Sequence, residues 1–307
     1  MTRPMINRMG TIDFGVSETT PLVYKDRLYR FEYINRYYHK ARVPDSYFHF
    51  VDVATGECSE PFGLDYHFGS AHVQDDTVYV YGLPGSRRAE QIHVFWSNDM
   101  KHWSCETALH MPGWELLNNS VCRGRDEYVM CFEVGAPGEV VGVQFTNFFA
   151  SSSDLVHWDF LGEDVAFDKT RYTACPTLRY HNGWYYQFYL ERATDISKLA
   201  DPDNHDTVLF DTNLARSRDL RQWHDSPFNP FLGVDEGDRT VLNPDINVEQ
   251  QQRMAAAPMM NLSDMDLCEF EGQVVIYYSW GSQKGIEYLA EARYDGTMGQ
   301  MLEGFFP

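Results

Sequence analysis

Three heptapeptides share the pattern Ser-x-Asp-x-x-x-Trp, and they decide how the rest of the chain is interpreted. They are Ser97-Asn-Asp-Met-Lys-His-Trp103, Ser152-Ser-Asp-Leu-Val-His-Trp158 and Ser217-Arg-Asp-Leu-Arg-Gln-Trp223. Serine and aspartate favour turns because their side chains bond to nearby backbone groups. Each copy follows an apolar run and precedes a short strand-like run. The pattern therefore predicts a repeated hairpin turn whose tryptophan packs on the sheet.

A second repeated unit is found five times along the chain. It consists of a strand, a tight polar turn and a strand rich in aromatic residues, and its copies lie at 20–31, 70–81, 119–132, 175–188 and 264–277. Five units of about four strands each predict an all-β, five-bladed β-propeller that occupies residues 1–307 as a single domain. Residues 11–16 are expected to supply the outer strand of the last unit and so to close the ring, which removes exposed sheet edges.

Two segments interrupt the repeat. Residues 194–206 are polar and rich in aspartate, and residues 236–257 include a stretch of strong helix formers at 247–257. Insertions of this kind on a propeller rim the pocket or make subunit contacts. The segment 247–257 is therefore expected to be helical, and assembly into a homo-oligomer is left open.

The charge balance argues against two classes of partner. Lysine and arginine number 25 against 45 aspartates and glutamates, which gives a net charge of −20. Binding to nucleic acid and to an anionic membrane surface both depend on basic side chains, so neither partner is expected. The charge is interpreted as a solubility feature, or in part as a carboxylate-rich pocket.

The expected location is cytoplasmic. The first residues contain no apolar core of signal-peptide length, and no run approaches the roughly 18 apolar residues of a membrane span. The six cysteines show no zinc-binding spacing and are interpreted as reduced thiols.

The repeated units and turns together resemble family 43 glycoside hydrolases and their relatives in families 32, 68 and 117. The resemblance implies a five-bladed propeller that acts on furanosides or other sugars with paired carboxylates at the axis. It also implies an Asp before the Pro of the first blade, an Asp early in the third blade and a Glu opening the fourth. This sequence has Thr20 before Pro21, Asn118-Asn119-Ser120 in the third unit and Thr173-Ala174-Cys175-Pro176 in the fourth. Either the acids come from other positions, or the chain binds sugar without hydrolysing it.

Candidate residues follow from the direction of the strands in such a propeller. The first strand of each unit begins at the active face, and the second strand ends there. Alternation with period two then groups the side chains that share a face. The polar residues at first-strand starts are Glu18, Thr20, Ser70, His72, Asn118, Asn119, Asp264 and Asp266. The residues at second-strand ends are Glu32, Glu133, Glu191 and Trp280.

Asp264 and Asp266 are the sharpest signal, because aspartate is depleted in strands and buried charge needs a partner. They are expected to be a catalytic or cation-binding pair, with turn bonds as the alternative. Glu133 and Glu191 are candidate general acids or salt-bridged rim residues. Glu18 is a candidate base or sugar-hydroxyl acceptor.

The remaining candidates are assigned to substrate binding. They are His72, Asn118, Asn119, Thr20, Trp280 and Glu32, with a purely structural role as the alternative for His72 and a turn for the asparagines. Cys175 is interpreted as a buried thiol rather than a nucleophile, because no histidine pairs with it clearly.

The sequence therefore favours an intracellular, exo-acting glycoside hydrolase on a short oligosaccharide or glycoside, without a required cofactor. Inversion is expected, with Asp264 or Asp266 activating water and Glu191 or Glu133 as the acid. One alternative is a sugar-binding propeller without catalysis. Another is a metal-assisted lyase or epimerase in which His72, Asp264 and Asp266 hold a divalent cation such as calcium at the axis.

Overall fold

A computed structural model describes residues 2–16, 18–35, 46–85, 89–192, 209–282 and 287–307. Within these ranges the chain consists mainly of antiparallel strands with a few short helices. None of the helices in the described ranges is both long and apolar enough to cross a membrane. The acidic segment predicted as an insertion at 194–206 lies outside the described residues.

The first three repeated units each fold into a separate antiparallel sheet. The first sheet contains β2 (Thr19–Tyr24), β3 (Arg27–Asn35) and β4 (Ser46–Asp52). The second contains β5 (Tyr66–Gln74), β6 (Thr77–Pro84), β7 (Gln91–Ser97) and β8 (Ser104–His110). The third contains β9 (Glu115–Arg123), β10 (Tyr128–Ala136), β11 (Thr146–Ser152) and β12 (Asp159–Phe160).

The last two units are joined into one larger sheet by a single parallel bridge between Phe210 and Asn261. The fourth unit contains β13 (Ala174–His181), β14 (Trp184–Arg192), β15 (Phe210–Ser217) and β16 (Trp223–Asp225). The fifth contains β17 (Asn261–Phe270), β18 (Gln273–Gly281) and β19 (Tyr288–Asp295). Its outer position is taken by β1 (Asn7–Phe14), which pairs antiparallel with β19 as the sequence predicted.

Three short helices lie outside the sheets. They are α1 (Gly138–Val141), α2 (Val248–Ala256) and α3 (Met298–Gly304). The helix predicted at 247–257 is confirmed as α2. It begins with a capping box, in which Asn247 and Gln250 each accept the other's backbone N–H, at 3.0 and 2.9 Å.

The repeated Ser-x-Asp motif forms the predicted turns. In the third unit Ser152 Oγ accepts the backbone N–H of Leu155 at 2.9 Å, and Asp154 Oδ1 accepts those of Val156 and His157 at 2.8 Å. Equivalent bonds hold the turns at Ser97 and Ser217.

The tryptophan of each motif packs against the preceding unit rather than only on its own sheet. The ring of Trp103 stacks on Phe62 with centroids 4.0 Å apart, Trp158 meets Tyr81 edge-on, and Trp223 meets Phe149. Because Tyr81 and Phe149 belong to the neighbouring sheets, each motif ties two consecutive units together. Tyr81 Oη also donates to the Leu155 carbonyl at 2.7 Å.

Replacing Trp158 tests this coupling between units. Trp158→Ala is expected to lower the free energy of unfolding by about 3–5 kcal/mol, because the side chain is buried and its cavity cannot collapse. Trp158→Phe keeps an aromatic ring against Tyr81, so its free energy of unfolding should fall by clearly less. Urea unfolding monitored by fluorescence measures both, with Val248→Ala at an exposed position as the control. A loss for Trp158→Ala no larger than the control's would contradict the packing role.

Candidate active site

A pocket lies where the first strands of the five units begin. Each unit contributes to its wall through β2, β5, β9, β13 or β17, or through the residue just before the strand. Counted with the space open to solvent at its mouth, it measures about 340 Å³. It is lined by Glu18, Thr19, Gly69, Asn118, Asn119, Cys175, Pro176, Thr177, Asp264, Met265 and Asp266. Residues distant in the chain therefore meet here, and most of the polar ones are carboxylates and amides.

The same backbone irregularity starts three of these strands. The ladders of β5, β13 and β17 shift register at equivalent places, before Ser70, Thr177 and Asp266 respectively. The residue two positions earlier is in the left-handed region each time, with φ of 50° at Phe68 and 51° at Cys175 and Asp264. Such bulges redirect side chains and disfavour residues other than glycine. Cys175 and Asp264 are thereby brought to the pocket from equivalent positions.

Glu133 is buried beside this pocket. Its Oε2 accepts the Cys175 backbone N–H at 3.0 Å and the Asn118 side-chain amide at 3.2 Å. Burial, opposed by these two bonds and reinforced by the charge of Asp264, raises the pKa of Glu133 to about 8. This carboxyl is therefore protonated at neutral pH.

Asp264 has a different environment. Its Oδ2 accepts the Ser263 hydroxyl at 2.5 Å and the Ser279 hydroxyl at 3.2 Å. It is also hydrogen-bonded to the Cys175 thiol, whose pKa is raised well above its ordinary value by burial and by the charges of Asp264 and Glu133. Cys175 thus stays a neutral thiol between the two carboxyl groups, which agrees with the sequence interpretation.

Asp266 lies deeper in the same pocket and is ion-paired with Arg179. It also accepts the Leu267 backbone N–H at 2.7 Å and a hydrogen bond from Thr20. Burial raises its pKa, against the opposing effect of Arg179. The Asp266 carboxylate therefore has a cationic partner, whereas the partners of Asp264 among the described residues are hydroxyl and thiol groups.

The amides and Glu18 complete the wall. Asn119 accepts the Ser70 hydroxyl at 2.6 Å and donates to the Phe68 carbonyl at 3.2 Å, so it fastens the second unit to the third. Asn118 donates to Glu133, as described above. Glu18 lines the pocket from the first unit. The predicted placement of all three at the pocket is thus found.

Two of the predicted glutamates lie elsewhere. Glu191 pairs with Arg171 at 3.1 Å and accepts from Asn213 at 3.0 Å. Glu32 pairs with Arg30 at 2.6 Å and with His49 at 2.7 Å, in a separate cavity. For Glu32 the reason is local: the β9–β10 ladder is irregular at Glu133, whereas Glu32 lies in a regular stretch of its ladder. Without a bulge the side chain stays on the face between neighbouring sheets.

Three further candidates also lie away from the pocket. Trp280 is fully buried in the hydrophobic core, packed on Tyr288 and donating to Thr11 Oγ1 at 2.9 Å. A substrate cannot reach it there. Thr20 and His72 line a second cavity, about 850 Å³ in volume, on the far side of Asp266 and Arg179. Sequence alternation placed them at the first-strand starts. Thr19, one residue earlier in a regular strand, lines the first pocket from the first unit, and Gly69, within the register shift of β5, lines it from the second.

The cation-binding hypothesis named His72, Asp264 and Asp266 as ligands, and these residues line two different cavities. Asp264 lines the first pocket, whereas His72 lines the second one. Among the described residues no group of three or more His, Cys, Asp or Glu side chains is arranged to hold a metal ion.

Two functional features were missed from the sequence. Arg179 is a lone basic residue in the run Cys175-Pro-Thr-Leu-Arg179, and this charge among apolar strand residues was the available signal. The contact of Cys175 with both carboxyl groups has no sequence signal, since it depends on the left-handed backbone.

Comparison with known proteins identifies the fold of the chain. No family model and no curated protein matches this sequence. Solved structures match nearly its whole length. A thermostable family-43 glycoside hydrolase is 12% identical, with 96% of this chain and 94% of that one covered and a TM-score of 0.62. A xylan beta-1,4-xylosidase from Bacillus halodurans is 12% identical, with coverages of 96% and 55% and a TM-score of 0.58.

An exo-1,5-alpha-L-arabinanase from a bovine ruminal metagenomic library is 10% identical, with coverages of 91% and 92% and a TM-score of 0.57. The chain therefore has the fold of family-43-type glycoside hydrolases, which are five-bladed propellers. The expected resemblance is confirmed at the level of the fold.

The raised pKa of Glu133 makes a prediction about stability. The folded protein keeps this carboxyl protonated up to about pH 8, whereas the unfolded chain ionises it near pH 4.5. The free energy of unfolding should therefore fall as the pH rises between these values, by on the order of a few kcal/mol. Glu133→Gln removes the ionisation, so its stability relative to the wild type should improve with rising pH.

Urea unfolding from pH 5 to pH 9 measures this difference. Glu191→Gln is the control, because its carboxylate has Arg171 as a partner and lies outside the pocket. A Glu133→Gln difference that stays constant over the pH range would contradict a buried, protonated Glu133.

Proposed function

We propose that the protein is a glycoside hydrolase that cleaves a short oligosaccharide or glycoside in the pocket at the axis. In this proposal the five units are blades of a closed five-bladed ring, and β1 completes the last blade. The observation that carries the proposal is the pair formed by Glu133 and Asp264. The two carboxyl groups are both hydrogen-bonded to Cys175, Glu133 to its backbone N–H and Asp264 to its thiol, and burial raises the pKa of Glu133 to about 8.

Glu133 is assigned as the general acid. Glycoside hydrolysis needs one carboxylic acid to protonate the departing oxygen, and that group must be protonated at the working pH. Burial supplies this condition for Glu133. Asn118 and Cys175, which line the pocket, fix the orientation of Oε2. Glu133 itself lies behind this wall, so in this proposal its other oxygen must reach the leaving group there.

Asp264 is assigned as the group that activates water. Hydrogen bonds from Ser263 and Ser279 fix the orientation of its carboxyl group. The charge of Asp264 also contributes to the raised pKa of Glu133. Glu18 is then placed to accept a hydrogen bond from a sugar hydroxyl. The ion pair of Asp266 with Arg179 closes the inner end of the pocket.

The substrate is expected to be a short neutral oligosaccharide or glycoside. The xylosidase and arabinanase that share the fold act, by their names, on xylan and 1,5-linked arabinan. Arabinofuranosides and xylosides are therefore the first compounds to assay. The cytoplasmic location expected from the sequence would suit a small imported substrate.

A second candidate function is sugar binding without hydrolysis. It is favoured by the three positions at which the resembled family has carboxylates, because Thr20, Asn118 and Cys175 stand there. Hydrolysis by Glu133 and Asp264 would have to replace that lost set. A panel of nitrophenyl glycosides separates the two functions, since a binding protein would retain sugar affinity with no turnover.

Substitution of the two carboxyl groups is the main test. Glu133→Gln and Asp264→Asn should each lower kcat by about 10²–10⁴-fold, because each removes a proton-transfer group. The kcat of Glu191→Gln should stay within a few-fold of the wild-type value. The kcat/KM of the wild type should also fall as the pH rises through about 8, where Glu133 loses its proton. Full activity in both substituted proteins would end this assignment.

The stereochemical outcome tests the water-activating role of Asp264. Inversion is expected if Asp264 activates water on the face of the sugar opposite Glu133. Proton NMR of the first-formed sugar anomer reads this out within minutes of mixing. A product that retains the anomeric configuration would mean that the carboxylate attacks the sugar directly.

A further inference from the structure

The opposite end of the axial channel carries a second cavity that the proposed hydrolysis does not use. All five first strands contribute to it, through residues that follow those in the first pocket. Pro21, Leu22, Val73 and Val121 supply apolar wall, and His72, Arg123, Arg179 and Tyr180 supply polar groups. The cavity is about 850 Å³ in volume, which exceeds that of the first pocket.

Arg179 has hydrogen-bonding capacity left at this end. A guanidinium carries five N–H donors. Nη1 donates to the Leu178 carbonyl at 2.7 Å, and Nη2 donates to the Leu267 carbonyl at 2.6 Å and to Asp266. Three donors are thus used, so Nε–H and one N–H of Nη1 have no acceptor among the described residues.

Arg123 supplies a second guanidinium from the neighbouring unit. It lies over the ring of Tyr128, with 4.6 Å between the guanidinium carbon and the ring centroid. Among the described residues it has no carboxylate partner. Glu269, a carboxylate that also lines this cavity, accepts the Met298 backbone N–H with Oε2 at 2.8 Å. The two guanidinium groups of Arg123 and Arg179 therefore face one carboxylate that already has a backbone partner, which leaves donors for an anion.

His72 adds a hydrogen-bond acceptor to this cavity. Its Nε2 is buried and has no hydrogen-bond partner in the described part of the chain. The ring is hydrogen-bonded to the Val121 backbone, which leaves Nε2 as an acceptor in the neutral tautomer. Nearby Arg179 disfavours a proton on this ring. A buried acceptor of this kind is satisfied by a hydroxyl donor.

We infer that this second cavity binds a small polyhydroxylated anion, such as a sugar acid or a sugar phosphate. The anionic group would accept from Arg123 and from the free donors of Arg179. A ligand hydroxyl would donate to His72 Nε2. The apolar wall at Leu22 and Val73 suits the carbon face of such a ligand. This site is independent of whether the first pocket hydrolyses glycosides.

Calorimetric titration of the whole protein tests the inference with four probes. They are D-gluconate, D-glucose 6-phosphate, inorganic phosphate and D-glucose. Gluconate or glucose 6-phosphate should bind with at least about tenfold higher affinity than glucose, because charge-assisted bonds to arginine are lost with the neutral sugar. Absence of binding by both hydroxylated anions at millimolar concentration, or equal binding of glucose, would overturn the inference.

Three variants locate the site. Arg123→Gln should lower the affinity for the hydroxylated anion by about tenfold or more. Arg221 is an exposed arginine outside the cavity, so Arg221→Gln should leave that affinity unchanged. His72→Phe keeps the ring shape and should weaken gluconate while leaving inorganic phosphate unchanged. Equal affinity in wild type and Arg123→Gln would contradict the site.

Glu133→Gln tests whether the anion binds in the second cavity rather than in the first pocket. It should leave binding of the anion intact, because Glu133 belongs to the other end of the channel. Loss of anion binding in Glu133→Gln would mean that the probe occupies the first pocket and would also overturn the inference.

Discussion

The direction in which three first strands begin is the constraint on which the site depends. A left-handed residue at Phe68, Cys175 and Asp264 breaks the alternation of the strand and turns it toward the axis. Non-glycine residues hold this conformation at a cost on the order of 1–3 kcal/mol each. The ladder resumes at once after each bulge, so the surrounding sheet supports the strain. Three equivalent bulges in three units bring distant residues to a single pocket.

Burial and pairing then sort the carboxyl groups by role. Glu133 is buried with neutral donors, so its proton is retained. Asp266 is buried with Arg179, and Glu191 has Arg171 beside it, so both have cationic partners. Among the described residues, Asp264 is hydrogen-bonded by hydroxyl and thiol groups. The carboxyl groups thus differ in environment because of packing rather than because of residue type.

The repeat, the turns, the helix at 247–257 and the strand that pairs with β19 could all be predicted from sequence, because each depends on local chemistry. Turn-forming serine and aspartate, alternating aromatic strands and helix formers act over a few residues. The position of Asp264 at the pocket could be predicted for the same reason. Burial of an aspartate in a strand is a local conflict that points to a site.

The predictions at Glu32, Glu191 and Trp280 failed because they assumed that equivalent places in successive units point in the same direction. For Glu32 the difference from Glu133 can be traced to the pairing of the strands. Glu133 and Glu32 both follow an aromatic run, but the strand pairing has a bulge at Glu133 and is regular at Glu32. The two side chains therefore point in different directions. A one-residue shift in a strand moves a side chain to the other face. Sequence patterns of apolar and polar residues do not contain that information.

Direct titration of the Glu133 carboxyl tests the account most closely. Carbon-13 NMR of protein labelled at glutamate side-chain carboxyls, with Glu133→Gln to assign the signal, would follow its ionisation. The account predicts a midpoint near pH 8, far above the ordinary value of 4.5. A midpoint near 4.5 would show an ionised Glu133 at neutral pH, and the acid–base pair with Asp264 would then not exist.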